Sequence, residues 1–182
     1  ASGGSLNTPR GNNMGMTTGT QTAGLTFGGH QGSVKDETET YNGTAWTETG
    51  NAMNDARYNG GSQGTQTASV CFGGGLPTFT DKVELYDGST WTESTAMPVA
   101  RYGQAPAGSS STSALSISGK NPPSTWTTET FELSGTSWTE ANDVNTSRFS
   151  GGAAGPVTAA IFCGGSADPN VVSDAVETWD GT

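Results

Sequence analysis

The sequence predicts an all-β protein, a β-propeller of four blades with about four strands each, in a single domain over residues 1–182. Three observations predict it. A long motif recurs along the chain at near-constant spacing, and internal repeats of this length mean an array of stacked units. Each repeat reads as short apolar or alternating runs punctuated by Gly, Asn and Asp, which is the pattern of strands and turns. No stretch carries a helical period.

The repeat is read directly. "YNGTAWTETGNAMNDAR" (Tyr41 to Arg57) returns as "YDGSTWTESTAMPVAR" (Tyr86 to Arg101), 45 residues on. "GTQTAGLTFGG" (Gly19 to Gly29) returns as "GTQTASVCFGG" (Gly64 to Gly74) at the same offset. "TSALSISG", ending at Gly119, and "VTAAIFCGG", ending at Gly165, are a third and a fourth copy. In this register Glu39, Glu84, Glu129 and Glu177 align, followed by Tyr41, Tyr86, Phe131 and Trp179, then by Trp46, Trp91 and Trp138. Each unit opens on an arginine: Arg10, Arg57, Arg101 and Arg148. The units are approximately 6–52, 53–96, 97–143 and 144–182.

Within a unit the elements follow in order. The segment after each Arg gives a Gly-rich strand. "TASVCF" and "TAAIFC" are apolar runs closed by Gly-Gly, as buried strands are. "TETYNG" and "KVELYDG" alternate inward and outward residues and stop at Asn-Gly or Asp-Gly, a type I′ turn signal that needs positive φ at both positions. A Trp opens the returning strand, "TAWTET" or "STWTES". The aromatics in this register are expected between neighbouring sheets, because each unit has a face that only the next can bury. The third unit departs: it has Ser118-Gly119 in place of Gly-Gly, and two extra residues counted between Phe131 and Trp138, so a wider loop is expected over 132–137. The fourth stops at "WDGT", short of the Trp-Thr-Glu expected next, so its final strand is expected to be missing. The intact molecule is then expected to continue the array or to borrow a strand from a neighbouring subunit, joined head to tail.

Gly-Gly after an apolar strand, an aromatic about 12 residues later, a Trp five further and then "MPVAR" resemble the kelch repeat. The resemblance covers nearly the whole chain. The period also suits WD40 repeats, but the Trp-Asp signature is missing at the unit ends. The wording "GTQTA…FGG…Y(N/D)G(T/S)xWTE" is similar to repeat arrays in structural proteins of marine bacteriophages. These resemblances imply kelch-like blades in a non-enzymatic structural or adhesive module, on a virion or extracellular appendage such as a fibre or coat. The implied partners are other subunits, as a homo-oligomer or assembled fibre. The alternative is a carbohydrate-binding module that recognises cell-surface glycans.

Composition narrows the rest. Net charge is −10, from 17 acidic and 7 basic residues. That opposes nucleic-acid binding, which needs basic patches, and suits a surface exposed to salt, where repulsion is screened. The 5 Trp, 4 Tyr and 6 Phe recur periodically, unlike the aromatic-poor composition of disordered chains. No run of 18 apolar residues is present to suggest a membrane helix, and "ASGGSLNTPR" has no apolar core of a signal peptide.

No cofactor, metal site or catalytic set is expected. The four arginines could suggest the arginine cluster of a sialidase, but "LYDGSTW" does not fit the sialidase Asp-box, and a residue repeated in every unit serves a repeated structural job. The same argument makes the four glutamates inter-unit contacts and not a glycosidase pair. His30 is the only histidine, too few for the usual zinc or copper chemistry. Cys71 and Cys163 read as small buried hydrophobes. Asp36, Asp81 and Asp174 recur, without an EF-hand-like run for calcium. The loops after the Gly pairs vary, and variable loops on a repeated scaffold are where binding resides. His30, Phe79 and Trp126 are the candidate ligand-binding residues there.

Overall fold

The computed structural model describes residues 3–16, 18–75, 77–168 and 171–181. The chain ends that bear on the missing-strand expectation, residues 1–2 and 182, lie outside the described residues. The chain is all-β, and no helix occurs among the described residues.

Four antiparallel sheets follow one another. The first has β1 (Met14–Gly15), β2 (Gly24–Phe27), β5 (Thr38–Tyr41) and β6 (Trp46–Glu48), with the hairpin β3 (His30–Gln31) and β4 (Ser33–Val34) between β2 and β5. The second has β7 (Gly61–Thr65), β8 (Ala68–Phe72), β9 (Val83–Tyr86) and β10 (Trp91–Ser94). The third has β11 (Ala105–Ser110), β12 (Ser113–Ile117), β15 (Thr130–Ser134) and β16 (Ser137–Ala141), with the hairpin β13 (Lys120–Asn121) and β14 (Thr125–Trp126). The fourth has β17 (Gly152–Ala154), β18 (Ala160–Cys163) and β21 (Val176–Trp179), with the hairpin β19 (Ser166–Asp168) and β20 (Val171–Val172). Each is a meander in chain order, so its first and last strands are its two edges.

No sheet has a core of its own. Three apolar clusters sit at the three junctions between successive sheets. Leu25, Phe27 and Met14 meet Cys71, Tyr86 and Trp91. Val70, Phe72 and Val83 meet Ala114, Leu133 and Trp138. Leu115 and Ile117 meet Ala160 and Phe162. This is the economy of a repeat protein, in which each unit buries its apolar face only against a neighbour. The first strands abut in series, β1 on β7, β7 on β11 and β11 on β17. Two residues beyond each Arg the backbone turns to positive φ, at Asn12, Asn59, Gly103 and Ser150. There the Asn59 N–H donates to the Asn12 carbonyl (3.1 Å), Gly103 to Asn59 (2.9 Å) and Ser150 to Gly103 (2.8 Å). A line of backbone hydrogen bonds thus runs from unit to unit.

The third unit corrects the sequence register. Thr26 pairs with Glu39, Cys71 with Glu84 and Phe162 with Glu177, but Ser116 pairs with Phe131. Phe131 therefore stands where the other sheets have Glu, Leu133 stands where they have Tyr41, Tyr86 and Trp179, and Glu129 sits two residues earlier. The extra residues lie in the β13–β14 loop and not over 132–137, where Ser134 and Ser137 pair around a two-residue turn. Counting along the sequence puts them after Phe131 only because it aligns Phe131 with the aromatics Tyr41, Tyr86 and Trp179, whereas its place in the sheet is that of Glu39, Glu84 and Glu177. The turns differ from type I′ as well. Gly43 and Gly88 have φ of 92° and 96°, but Asn42 and Asp87 do not share the positive φ. Instead the Asn42 side-chain oxygen accepts the Thr44 and Ala45 N–H groups, and Asp87 Oδ1 accepts those of Ser89 and Thr90. Those bonds hold the exposed Asp87 carboxyl down at about 2.

Candidate functional site

The recurring charged residues form one device in each of the four units, and each pair lies within its own unit, where the sequence leads one to expect the glutamates to bridge units. Arg10 pairs with Glu39 at 2.8 Å, Arg57 with Glu84, Arg101 with Glu129 at 3.0 Å and Arg148 with Glu177 at 2.7 Å. All four guanidinium side chains are fully withdrawn from solvent. The Arg57 side chain also donates to the Lys82 carbonyl in the second unit, while its backbone N–H donates to Lys35 and its carbonyl accepts from Gly29 in the first. One residue thereby fastens two units. Arg101 and Arg148 hold the same place, Arg148 N–H donating to Ser118 Oγ at 2.7 Å. That hydroxyl explains Ser118 in a left-handed position (φ 56°) where the other units have Gly.

Asparagine completes the device and escaped the sequence reading. Asn7, Asn54 and Asn145 stand three residues before Arg10, Arg57 and Arg148, and Asn-x-x-Arg was the signal. Each donates its backbone N–H and its side-chain amide to one Glu oxygen: Asn7 to Glu39 (2.7 and 3.0 Å), Asn54 to Glu84 (2.7 and 2.8 Å) and Asn145 to Glu177 (2.6 and 2.8 Å). Burial pushes the Glu39 and Glu177 carboxyls up, but these donors and the arginine outweigh it, and both end below the usual value. The third unit has Pro98 here, which has neither donor. Glu129 is bonded instead by Asn121, Thr127 and Arg101, and its net shift is also downward against burial. Phe131 receives the Arg101 guanidinium over its ring at 5.1 Å. Arg101 Nε and Nη1 are left buried without partners, and burial draws its pKa down.

The loop residues converge elsewhere, on a row of rings along one rim. The residue after each Arg pairs through its backbone with the start of its unit's loop: Gly11 with His30, Tyr58 with Gly75, Tyr102 with Lys120, Phe149 with Ser166. This lines up Tyr58, Tyr102 and Phe149, a recurrence after Arg that the sequence reading did not use. His30 lies 5.4 Å from Tyr58, Tyr58 5.5 Å from Tyr102, and Tyr102 5.5 Å from Phe149. Phe79 stacks flat on Tyr102 at 4.7 Å, and Trp126 meets Phe149 edge-on at 6.0 Å. Lys120 Nζ sits over both Trp126 and Phe149, at 4.6 and 4.7 Å, a cation–π arrangement. Asn59 donates to the Tyr102 hydroxyl at 2.9 Å, while burial lifts that phenol to about 12. His30, Phe79 and Trp126 thus belong to one row; His30 is exposed and the other two half-buried. Beside Phe79 a cleft of about 350 Å³ is lined by Pro77, Thr78, Pro122 and Pro123. Flat apolar faces with a cation and hydroxyls at their edges can stack a ring-shaped ligand and bond its rim.

Of the repeated aromatics, Tyr86, Trp91, Phe131 and Trp138 are buried in the junctions, while Tyr41, Trp46 and Trp179 are half-buried. Both cysteines are free thiols. Cys71 is buried, and burial raises it to about 12. Cys163 is exposed, contrary to the sequence reading, because no unit covers its sheet on that side. Among the described residues no group of three or more His, Cys, Asp or Glu is placed to hold a metal ion. Comparison of the chain with protein-family models and with curated proteins gives no match.

Proposed function

We propose that the chain is a non-enzymatic structural or adhesive repeat module, its sheets being kelch-like blades of a β-propeller or of a longer array. The observation that carries this reading is the use made of its charged groups. The recurring Arg and Glu side chains pair with each other inside each unit, while the backbones of Arg57, Arg101 and Arg148 bond to the unit before, so these groups serve a repeated structural job. An acidic surface, low cysteine content and a self-similar framework suit an extracellular or virion appendage, such as a phage fibre or coat. Antibodies raised against the purified chain test this by electron microscopy of intact particles. Label along an appendage is the expected result; label confined to soluble material would overturn it.

The row of rings favours a second reading on the same scaffold, carbohydrate binding, since stacked aromatic faces beside a Lys and a phenol suit a sugar ring. A glycan array with the wild-type chain and the Phe79→Ala variant tests it. Selective binding lost in the variant is the expected result, and no binding by the wild-type chain removes the reading.

A further inference from the structure

The two end sheets carry the two halves of one interface. On the side turned to the next unit, the first sheet presents Leu25, Phe27 and Thr38, the second Val70, Phe72 and Val83, and the third Leu115, Ile117 and Thr130. All nine are 3% exposed or less. Their counterparts on the fourth sheet are Ile161, Cys163 and Val176. Ile161 is 42% and Val176 58% exposed, and Cys163 is also open. Among the described residues, the large exposed apolar ones, Ile161, Val171, Val172 and Val176, all belong to this one unit. At the other end, the ring that covers such a face is present but half-open. Trp91 packs edge-on against Phe27 at 4.6 Å and Trp138 against Phe72 at 5.0 Å, and both are buried. Trp46, their counterpart in the first sheet, is half-buried against Tyr41 of its own sheet.

The backbone groups match too. At the first junction Met53 N–H donates to Asp36, Arg57 N–H to Lys35 and Asn59 N–H to Asn12. The counterparts of those donors at the free end of the first unit are Leu6, Arg10 and Asn12. The counterparts of those acceptors on the fourth unit are Asp174, Ser173 and Ser150. Donor and acceptor surfaces are different patches of one chain, so their contact is heterologous.

We propose that a second copy of this chain docks its first unit on the fourth unit of its neighbour, repeating between molecules the junction that joins the units within one. The occupant is a copy of this chain because its Trp46 face is the surface whose equivalents cover the three internal faces. The inference builds on the structural-module reading and gives it a partner. With a net charge of −10 the copies repel at long range, so added salt strengthens the association.

Sedimentation velocity over a wide concentration range tests it. The wild-type chain is expected to at least double its mass as concentration rises. Val176→Lys, at an exposed acceptor position, and Trp46→Ser, at the donor face, are each expected to stay monomeric; Leu6→Glu replaces the second if that variant does not fold. Mixed together, an acceptor variant and a donor variant each keep one intact face, so a one-to-one dimer and nothing larger is expected. A wild-type chain monomeric at every concentration, or a mixture that does not pair, overturns the proposal. Particle labelling fails or succeeds separately: association without label removes only the appendage reading, and label with a strictly monomeric chain removes only this one.

Discussion

The Trp91 indole N–H donates to Thr38 Oγ1 at 2.9 Å, across the junction between the second and first sheets. Both groups are buried, and an indole buried with its N–H unpaired is costly. At the next junction Trp138 occupies the same place, but the residue facing it in register is Val83, and its N–H has no partner.

Val83→Thr is therefore expected to supply the acceptor. Satisfying the Trp138 N–H should stabilise by about 0.5–1.5 kcal/mol, less a smaller loss for exchanging a methyl for a hydroxyl. Val70→Thr, at a fully buried site without such a donor, should instead cost about 1–3 kcal/mol. Urea unfolding compares the two. Equal destabilisation would refute the pairing.

Arg57 and Arg101 hold equivalent places with unequal support. Removing Arg57 leaves the fully buried Glu84 with its Asn54 hydrogen bonds but without its cation, so Arg57→Met should cost about 3–5 kcal/mol. Arg101 already carries two unpaired donors, and its partner Glu129 is a third exposed. Arg101→Met should be milder by at least about 1.5 kcal/mol. Chemical denaturation of both variants decides; equal losses would count against the idea.

Acid should loosen the units. The Glu39, Glu129 and Glu177 carboxyls all lie below the ordinary 4.5 when folded. Between the folded and unfolded values the unfolded chain binds more protons, so stability there rises with pH. The contribution is fully present at neutral pH and is lost as pH falls below about 4.5 and through the lowered folded values. The Tm should hold steady from neutral to about pH 5 and fall below it. Glu177→Gln should flatten part of that fall; an unchanged slope would contradict the assignment.

Gly103, two residues before the first strand of the third sheet, lies against the Phe149 ring. A Cβ there would lie 2.0 Å from the Phe149 ring, on a backbone with φ of 63°. Gly103→Ala should cost at least about 1 kcal/mol from the left-handed backbone alone. It should also shift Phe149 away from Tyr102, read as a change in the near-ultraviolet circular dichroism. An unaltered spectrum would mean the ring row does not depend on this contact.

Much was legible because it is local. Apolar runs closed by Gly pairs, Trp-opened strands and the 45-residue offset place the strands without reference to anything distant. The row of rings is half legible: His30, Phe79 and Trp126 fall in the variable loops, but Tyr58, Tyr102 and Phe149 follow the arginines and carry no loop signal. Asn7, Asn54 and Asn145 were invisible for another reason. Their partners lie about 30 residues away, and spacing says nothing about which distant carboxylate a donor will reach.

By itself the sequence determined the repeat, the all-β class and the residues that recur, since these depend on periodicity and turn chemistry within a few residues of each position. Tertiary structure alone decided the third unit's register, where Phe131 takes the place of a glutamate because the sheet matches backbone hydrogen bonds and not side-chain kinds. It also decided which faces are buried. Leu25 and Ile161 hold the same position in their strands, yet one is 3% and the other 42% exposed. Burial belongs to the contact between units, and no single unit's sequence contains its neighbour.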